Sequence, residues 1–245
     1  MAVEIPPERG VTMRRGRKLH ILLGGLLAAA LTVCCIAPAE TAEAKTRKKA
    51  AAANPIQVVA EYTEVEPLLD VTYHYIVVQS TVNRPLAVTA NTVATNAAGA
   101  TVGADNGYLD VIRPGHQELI TEMFDNTTDA ATFQTTFSTS DSCYEDAAAS
   151  VLVTAQPGED KLIVTLTNAG TIPAEFCNAT VLFFRNGQVV GHDYTYFVDS
   201  EEELKPGASL SNQFDFYDET RTDFMTDTGS FDSYLVFTEG RYYNG

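Results

Sequence analysis

"NATVLFFRNGQVVG", residues 178–191, decides how this chain is read, because its skeleton already occurs at 90–103 as "ANTVATNAAGATVG". Thr92, Val93, Gly99 and Gly103 in the first stretch correspond to Thr180, Val181, Gly187 and Gly191 in the second. The match extends outward in both directions. Pro85 falls on Pro173, and "YIVVQSTVN" (75–83) falls on "IVTLTNAGT" (163–171). Pro114-Gly115 matches Pro206-Gly207 once the acidic insertion around "SEEE" is allowed for. Self-similarity of this kind predicts a duplicated unit, and two copies of so long a period argue against a solenoid.

Each copy reads as strands. Val, Ile, Thr, Tyr and Phe dominate short runs that Gly, Pro, Asn and Asp punctuate. In the second copy the expected strands are "SVLVTA", "KLIVTLTN", "ATVLFFR", "QVVGHDYTYFV", "ASLSNQFDF" and "SYLVFTE". Asn186-Gly187 supplies the positive φ angles of a tight hairpin turn. "QPGED" and "KPGAS" are further turns. The expected fold is all-β, two tandem Ig-like β-sandwich domains after an N-terminal signal segment. The boundaries are a secretory signal at 1–44, a basic, alanine-rich linker at 45–54, a first sandwich at 55–140 and a second at 141–245.

The leader rests on Arg14, Arg15, Arg17 and Lys18, followed by an apolar stretch up to Pro38 and by Ala42-Glu43-Ala44. A charged head, an apolar middle and an A-x-A exit, with cleavage set by Ala42 and Ala44, are what a signal peptide offers. Met13 stands where a start codon would suit that leader. An uncleaved segment would instead span a bilayer, the one route to a membrane in this reading. Val33 before Cys34 disfavours lipidation. The expected location is secreted or on the extracellular cell surface.

With Lys+Arg 16 against Asp+Glu 32 and a net charge of −16, the chain repels phosphate backbones, which excludes nucleic acid as a partner. Cleavage would remove Cys34 and Cys35, leaving Cys143 and Cys177. In an oxidising compartment these are expected to form a disulfide; two reduced buried thiols are the alternative.

The second copy resembles the FxLYD-type domains of prokaryotic surface proteins. "VLFFRNG" stands where their aromatic-apolar strand runs into a turn, with Val181, Phe183, Phe184 and Arg185 at the four named positions and none of the four letters identical. "VVG" and "LKPGAS" follow where such domains place a strand and a Pro-Gly turn. The resemblance covers roughly 150–240 and, more faintly, 56–138. It implies an accessory or adhesive module without chemistry of its own, and no site residues come with it.

Chemistry is sparse in the pattern. His74, His116 and His192 lack partners at the short spacings of common zinc sites, and are expected to be solvated or on edge strands, with no metal and no cofactor. Acidic runs at 199–203 and 215–223 do not follow the calcium-loop order; whether they bind calcium is open. No serine elbow appears, no catalytic residue is expected, and two carboxylates meeting in space would be the mark of a glycoside-type hydrolase. Lys161 and Lys205 are the lysines available beyond the linker for an internal cross-link.

"TVLFFR" poses the sharpest question. Side chains alternate across a strand, so Val181 and Phe183 share one face and Leu182 and Phe184 the other, and both faces are apolar. Leu182 and Phe184 therefore lie under a contact between the two copies or under the chain's own loops, or they form a partner-binding patch. The expected function is a non-enzymatic binding, adhesion or accessory module whose partner is a protein or an envelope component. A secreted carboxylate-dependent hydrolase is the alternative, and a structural spacer or envelope subunit a third.

Overall fold

The computed structural model describes residues 54–199, 202–223 and 229–243. The leader, its cleavage residues Ala42 and Ala44, and most of the basic linker lie outside them. Among the described residues no helix is long and apolar enough to cross a membrane.

In chain order the first half contains β1 (Ile56–Glu66), β2 (Val71–Ser80), β3 (Leu86–Asn96), β4 (Thr101–Ile112), β5 (Gln117–Asp125) and β6 (Ala130–Asp141). The second contains β7 (Tyr144–Asp146), β8 (Val151–Pro157), β9 (Lys161–Asn168), β10 (Ala174–Arg185), β11 (Gln188–Tyr196), β12 (Glu203–Leu204), β13 (Ser209–Asp215) and β14 (Ser233–Tyr243). The fold is all-β, and every strand pair is antiparallel. The sheet orders are β1-β2-β5 and β4-β3-β6 in the first half, and β8-β9-β13 and β11-β10-β14-β7 in the second, with β12 on β10. Apart from β7 and β12, which have no counterpart, the second half is wired as the first.

The repeated glycines show why the skeleton recurs. Gly99 and Gly187 hold φ of 78° and 79°, as do Gly115 and Gly207 in the two Pro-Gly turns, a region closed to most side chains. Gly103 and Gly191 serve closeness instead. A Cβ on Gly103 would stand 3.0 Å from Phe124 Cδ1, and one on Gly191 only 2.2 Å from the Tyr217 carbonyl oxygen. Both glycines let the facing sheet approach at the same point of each half.

The Thr-Val part of the match is out of phase. Phe176 takes φ of 48°, and the pairing of β10 with β14 shifts between Glu175 and Asn178. That bulge slips β10 by one residue relative to β3 and swaps its faces. Val181 is consequently fully buried while Val93 is 40% exposed. A second irregularity, at Ala94/Thr95 in one half and Phe183/Phe184 in the other, recurs in both hairpins.

Each half buries its own interior. Ile76, Val78, Leu86, Val88 and Ile120 fill the first; Leu162, Val164, Leu166, Val181, Phe183 and Phe214 fill the second. A third apolar cluster unites Tyr75, Val77 and Leu119 with Leu182, Phe184, Val189 and Phe237. It is a seam between β1-β2-β5 and β11-β10-β14, and it places Asn54 onward in one compact unit. Leu182 and Phe184 are 0% and 6% exposed, with the Tyr62 ring edge-on to Phe184 at 5.2 Å. They are therefore not a partner patch: the first half covers them. Each such side chain contributes roughly 1.5–3 kcal/mol of burial.

The cysteines correct a second expectation. Cys143 and Cys177 are both free, Cys143 exposed and Cys177 buried in the second interior. β14 lies between β7, which follows Cys143, and β10, which carries Cys177. Two strand spacings amount to about 10 Å, beyond the roughly 7 Å between Cα atoms that a disulfide tolerates.

Candidate functional site

The histidines, read from sequence as solvated or edge residues, all sit among carboxylates. His74 lies on β2, the central strand of its sheet, 1% exposed. Its Nδ1 is 3.0 Å from Glu122 Oε2, and its ring stacks on Phe133 at 4.3 Å. Thr92 Oγ1 donates to the other oxygen of Glu122 at 2.8 Å. This network belongs to the first interior.

His116 and His192 each join the two halves. His116, entering β5, holds Asp146 of β7 at 2.8 Å and Glu118 at 3.0 Å through Nδ1. Asp146 is further engaged by backbone: the Arg113 N–H donates to Oδ2 at 3.1 Å and the Ala149 N–H to Oδ1 at 2.9 Å. Burial alone would lower the His116 pKa, but the two carboxylates outweigh it and push it up to about 9. Burial pushes Glu118 up to about 8, with His116 partly offsetting that.

At the second junction His192 of β11 meets Glu64 of β1 at 3.2 Å and Glu219, beyond β13, at 2.7 Å. The Tyr75 hydroxyl donates to Glu64 Oε2 at 2.7 Å, and the Tyr73 ring packs on the imidazole at 4.5 Å. Each trio gathers three potential ligand atoms within 4.8 Å.

Along the seam runs a cleft of about 530 Å³ to which both halves contribute. Tyr108 of β4 and Tyr194 and Tyr196 of β11 line it, and are 70%, 44% and 51% exposed. Glu118, Asn178 and Glu239 supply polar groups. Burial raises the Glu239 carboxyl, against a hydrogen bond from Asn178 Nδ2 at 3.4 Å. Arg241, also lining the cleft, is held by Asp110 and lies over the Phe176 ring at 4.2 Å.

The remaining sequence candidates are dispersed. Asp218 of the 215–223 run pairs with Arg185 at 2.6 Å while its neighbour Glu219 joins the His192 trio. Lys161 and Lys205 are exposed. The site residues that sequence reading passed over come from far-apart segments, Glu64 and His192 being 128 positions apart. One signal was present: His192, Tyr194 and Tyr196 recur at every second position of one strand, which puts them on a single face.

No family model and no curated protein matches the chain. Among solved structures, similarity extends to red sea bream transglutaminase (TM-score 0.24, 10% identity, 76% of this chain and 29% of that one). It extends also to a beta-glucuronidase from glycoside hydrolase family 2 (0.17, 9%, 73% and 22%). A third is the CBM22-1–CBM22-2 tandem domain of Paenibacillus barcinonensis Xyn10C (0.12, 8%, 80% and 99%). The chain spans under a third of the first two, and likenesses this slight carry no functional argument.

Proposed function

We propose that the chain is an exported bacterial surface or secreted binding module, built from two Ig-like sandwich copies of the FxLYD-type kind, whose ligand occupies the cleft between the halves. The observation that carries this reading is that both halves contribute to one concave, tyrosine-lined site; clefts where two units meet are preferred ligand seats. The equivalent strand order of the halves supports the duplication, and the leader pattern supports export.

The chemistry of the lining suggests the ligand class. Glu118, with its pKa near 8, is largely protonated at neutral pH, and Glu239 shifts the same way. Protonation lessens the negative charge that Glu118 brings beneath the cleft, and Asn178 can both donate and accept hydrogen bonds there. Exposed tyrosine rings offer flat apolar faces with a polar tip. A neutral polyhydroxyl ligand such as a glycan segment matches that combination better than a cation does.

The hydrolase alternative draws on the same two carboxylates in one cleft, and acid–base pairs work when environments push two carboxyls apart. Against it stands the burial of Glu118, 1% exposed and held by His116. The spacer alternative suits domains joined end to end, whereas these pack face to face. The test is a glycan array read with wild type, Tyr196→Ala and Glu239→Gln. Binding of a neutral glycan that falls at least about tenfold in both variants, without turnover, supports the proposal. Absence of any glycan ligand, or retention in both variants, defeats it, and hydrolysis abolished by Glu239→Gln would install the hydrolase.

A further inference from the structure

The two trios that join the halves each set one imidazole against two carboxylates but differ in how those carboxylates are held. In the His116 trio, Asp146 accepts from two backbone N–H groups and from the imidazole, so it acts as a hydrogen-bonded pin. In the His192 trio one nitrogen likewise serves two carboxylates, but the group reaches solvent, His192 and Glu219 being 19% and 20% exposed against 6%, 2% and 0% for His116, Glu118 and Asp146. The His192 Nδ1 lies 3.2 Å from Glu64 Oε2 and 2.7 Å from Glu219 Oε2, an ion-pair contact. The Glu64 side chain is fully buried and its Oε1 has no hydrogen-bond partner, as is also true of Glu118 Oε2 in the more deeply buried trio. Buried polar atoms are almost always satisfied, and a carboxylate oxygen left bare in an interior costs about 1–3 kcal/mol or more.

We propose that Glu64, His192 and Glu219 bind one divalent transition cation, Zn²⁺ in the first instance, where β1 of the first half meets β11 of the second. The donor set is one imidazole nitrogen and two carboxylates, a mixture suited to Zn²⁺ and Mn²⁺ rather than to the all-oxygen shells of Ca²⁺ and Mg²⁺. The spacing is close to what an ion needs. Bonds of about 2.05 Å in a tetrahedron put ligand atoms about 3.3 Å apart; Glu64 Oε2 already stands 3.2 Å from Nδ1, and Glu219 Oε2, at 2.7 Å, has to move outward by about 0.6 Å toward solvent. The ion's charge would take over what a single N–H cannot do, holding both carboxylates at once. Tyr75 donating to Glu64 supplies the outer hydrogen bond that commonly orients a ligating carboxylate. Entry is open from the solvent side, where His192 and Glu219 are 19% and 20% exposed. The cleft ligand proposed above is not needed for this site.

The test uses the full chain stripped with a chelator and titrated with Zn²⁺, with Co²⁺ as the visible-band reporter of nitrogen and oxygen ligation. Expected are about one equivalent bound, a rise in Tm on binding, at least tenfold weaker binding in Glu219→Gln and loss in His192→Gln. His116→Gln, in the other trio, should bind as wild type. Glu219 is at the surface edge, so its variant folds whatever becomes of His192→Gln, and circular dichroism verifies both. Absence of saturable binding overturns the proposal and leaves an ion pair only. Binding that survives Glu219→Gln and His192→Gln, or that disappears in His116→Gln alone, overturns it equally. Preference for Ca²⁺ over Zn²⁺ would refute the donor argument.

Discussion

Strands β3 and β10 hold the same place in two halves of matching wiring, yet they are buried differently. β3 alternates, with Leu86, Val88, Ala90, Thr92 and Ala94 buried and Asn91 and Val93 exposed. β10 buries Val181, Leu182, Phe183 and Phe184 in succession. Two things make the difference: a bulge near Phe176 that turns the strand by one residue, and large apolar side chains where β3 has small or polar ones. Among the β1-β2-β5 and β8-β9-β13 sheets the roles reverse. β2 carries Tyr73, Tyr75 and Val77 on its outer face, where β9 carries Lys161, Ile163 and Thr165. Wiring was copied, and burial was then assigned separately to each half by a few side chains.

The largest test of that contrast is a charge placed on the outer face of each strand. Leu182→Asp puts an unpaired carboxylate into the seam and should cost about 4 kcal/mol, read by urea unfolding. The matching Val93→Asp, on an open face, should stay within about 0.5 kcal/mol. Equal effects would mean that the seam does not hold the halves together.

The repeated glycines come next. Gly191→Ala drives a methyl against the Tyr217 carbonyl, which is backbone and cannot step aside, at an expected cost of about 3 kcal/mol. Gly103→Ala meets side-chain atoms, the edge of the Phe124 ring and the Thr127 methyl, which can give way, and about 1 kcal/mol is expected. A reversed order would place the tighter approach in the first half.

A third test uses pH. His116 and Glu118 bind protons more tightly folded than unfolded, the imidazole at about 9 against 6.5 and the carboxyl at about 8 against 4.5. Groups with raised folded values stabilise while protonated, so their contribution is complete below the unfolded values and is lost as pH rises through the folded ones. The groups facing them are Asp146, Glu239 and the thiol of Cys177. Measured with chelator present, Tm should therefore fall between about pH 5 and pH 9, and Glu118→Gln should flatten the part below 8. A Tm that climbs over this range would contradict the assignment.

The smallest test changes nothing in the protein. Burial pushes the Cys177 thiol up to about 12. Iodoacetamide followed by peptide mass spectrometry should label Cys143 in the folded chain and Cys177 only after unfolding.

Much of the fold was legible because local chemistry and global arrangement agree. All six strands expected in the second half appear, and Gly99, Gly187, Gly115 and Gly207 mark their turns as positive-φ residues must. The doubly apolar face of "VLFFR" announced a second covering, though not what supplies it. The slip at Phe176 was invisible, since a bulge depends on how neighbouring strands fit and not on composition. So was the link between Glu64, His192 and Glu219. Their meeting requires the seam, and the seam depends on two sheets that lie far apart in sequence. The cysteine expectation failed for a related reason: export and an even count say nothing of the strand that intervenes.

The seam joins non-equivalent sheets, so it is a head-to-tail contact, the kind that continues indefinitely when nothing stops it. The faces that would propagate it are the outer sides of β4-β3-β6 and β8-β9-β13. Both are dressed in hydroxyls. Thr95 meets Thr132 on one, and Thr165 meets Ser211 and Thr167 meets Ser209 on the other, at 2.5–2.7 Å. A third sandwich arriving there would meet these hydroxyls, with Val93 and Leu152 exposed among them, in place of the tyrosines and phenylalanines of the seam. Such rows favour water over a further sandwich, as the polar outer faces of terminal repeats do.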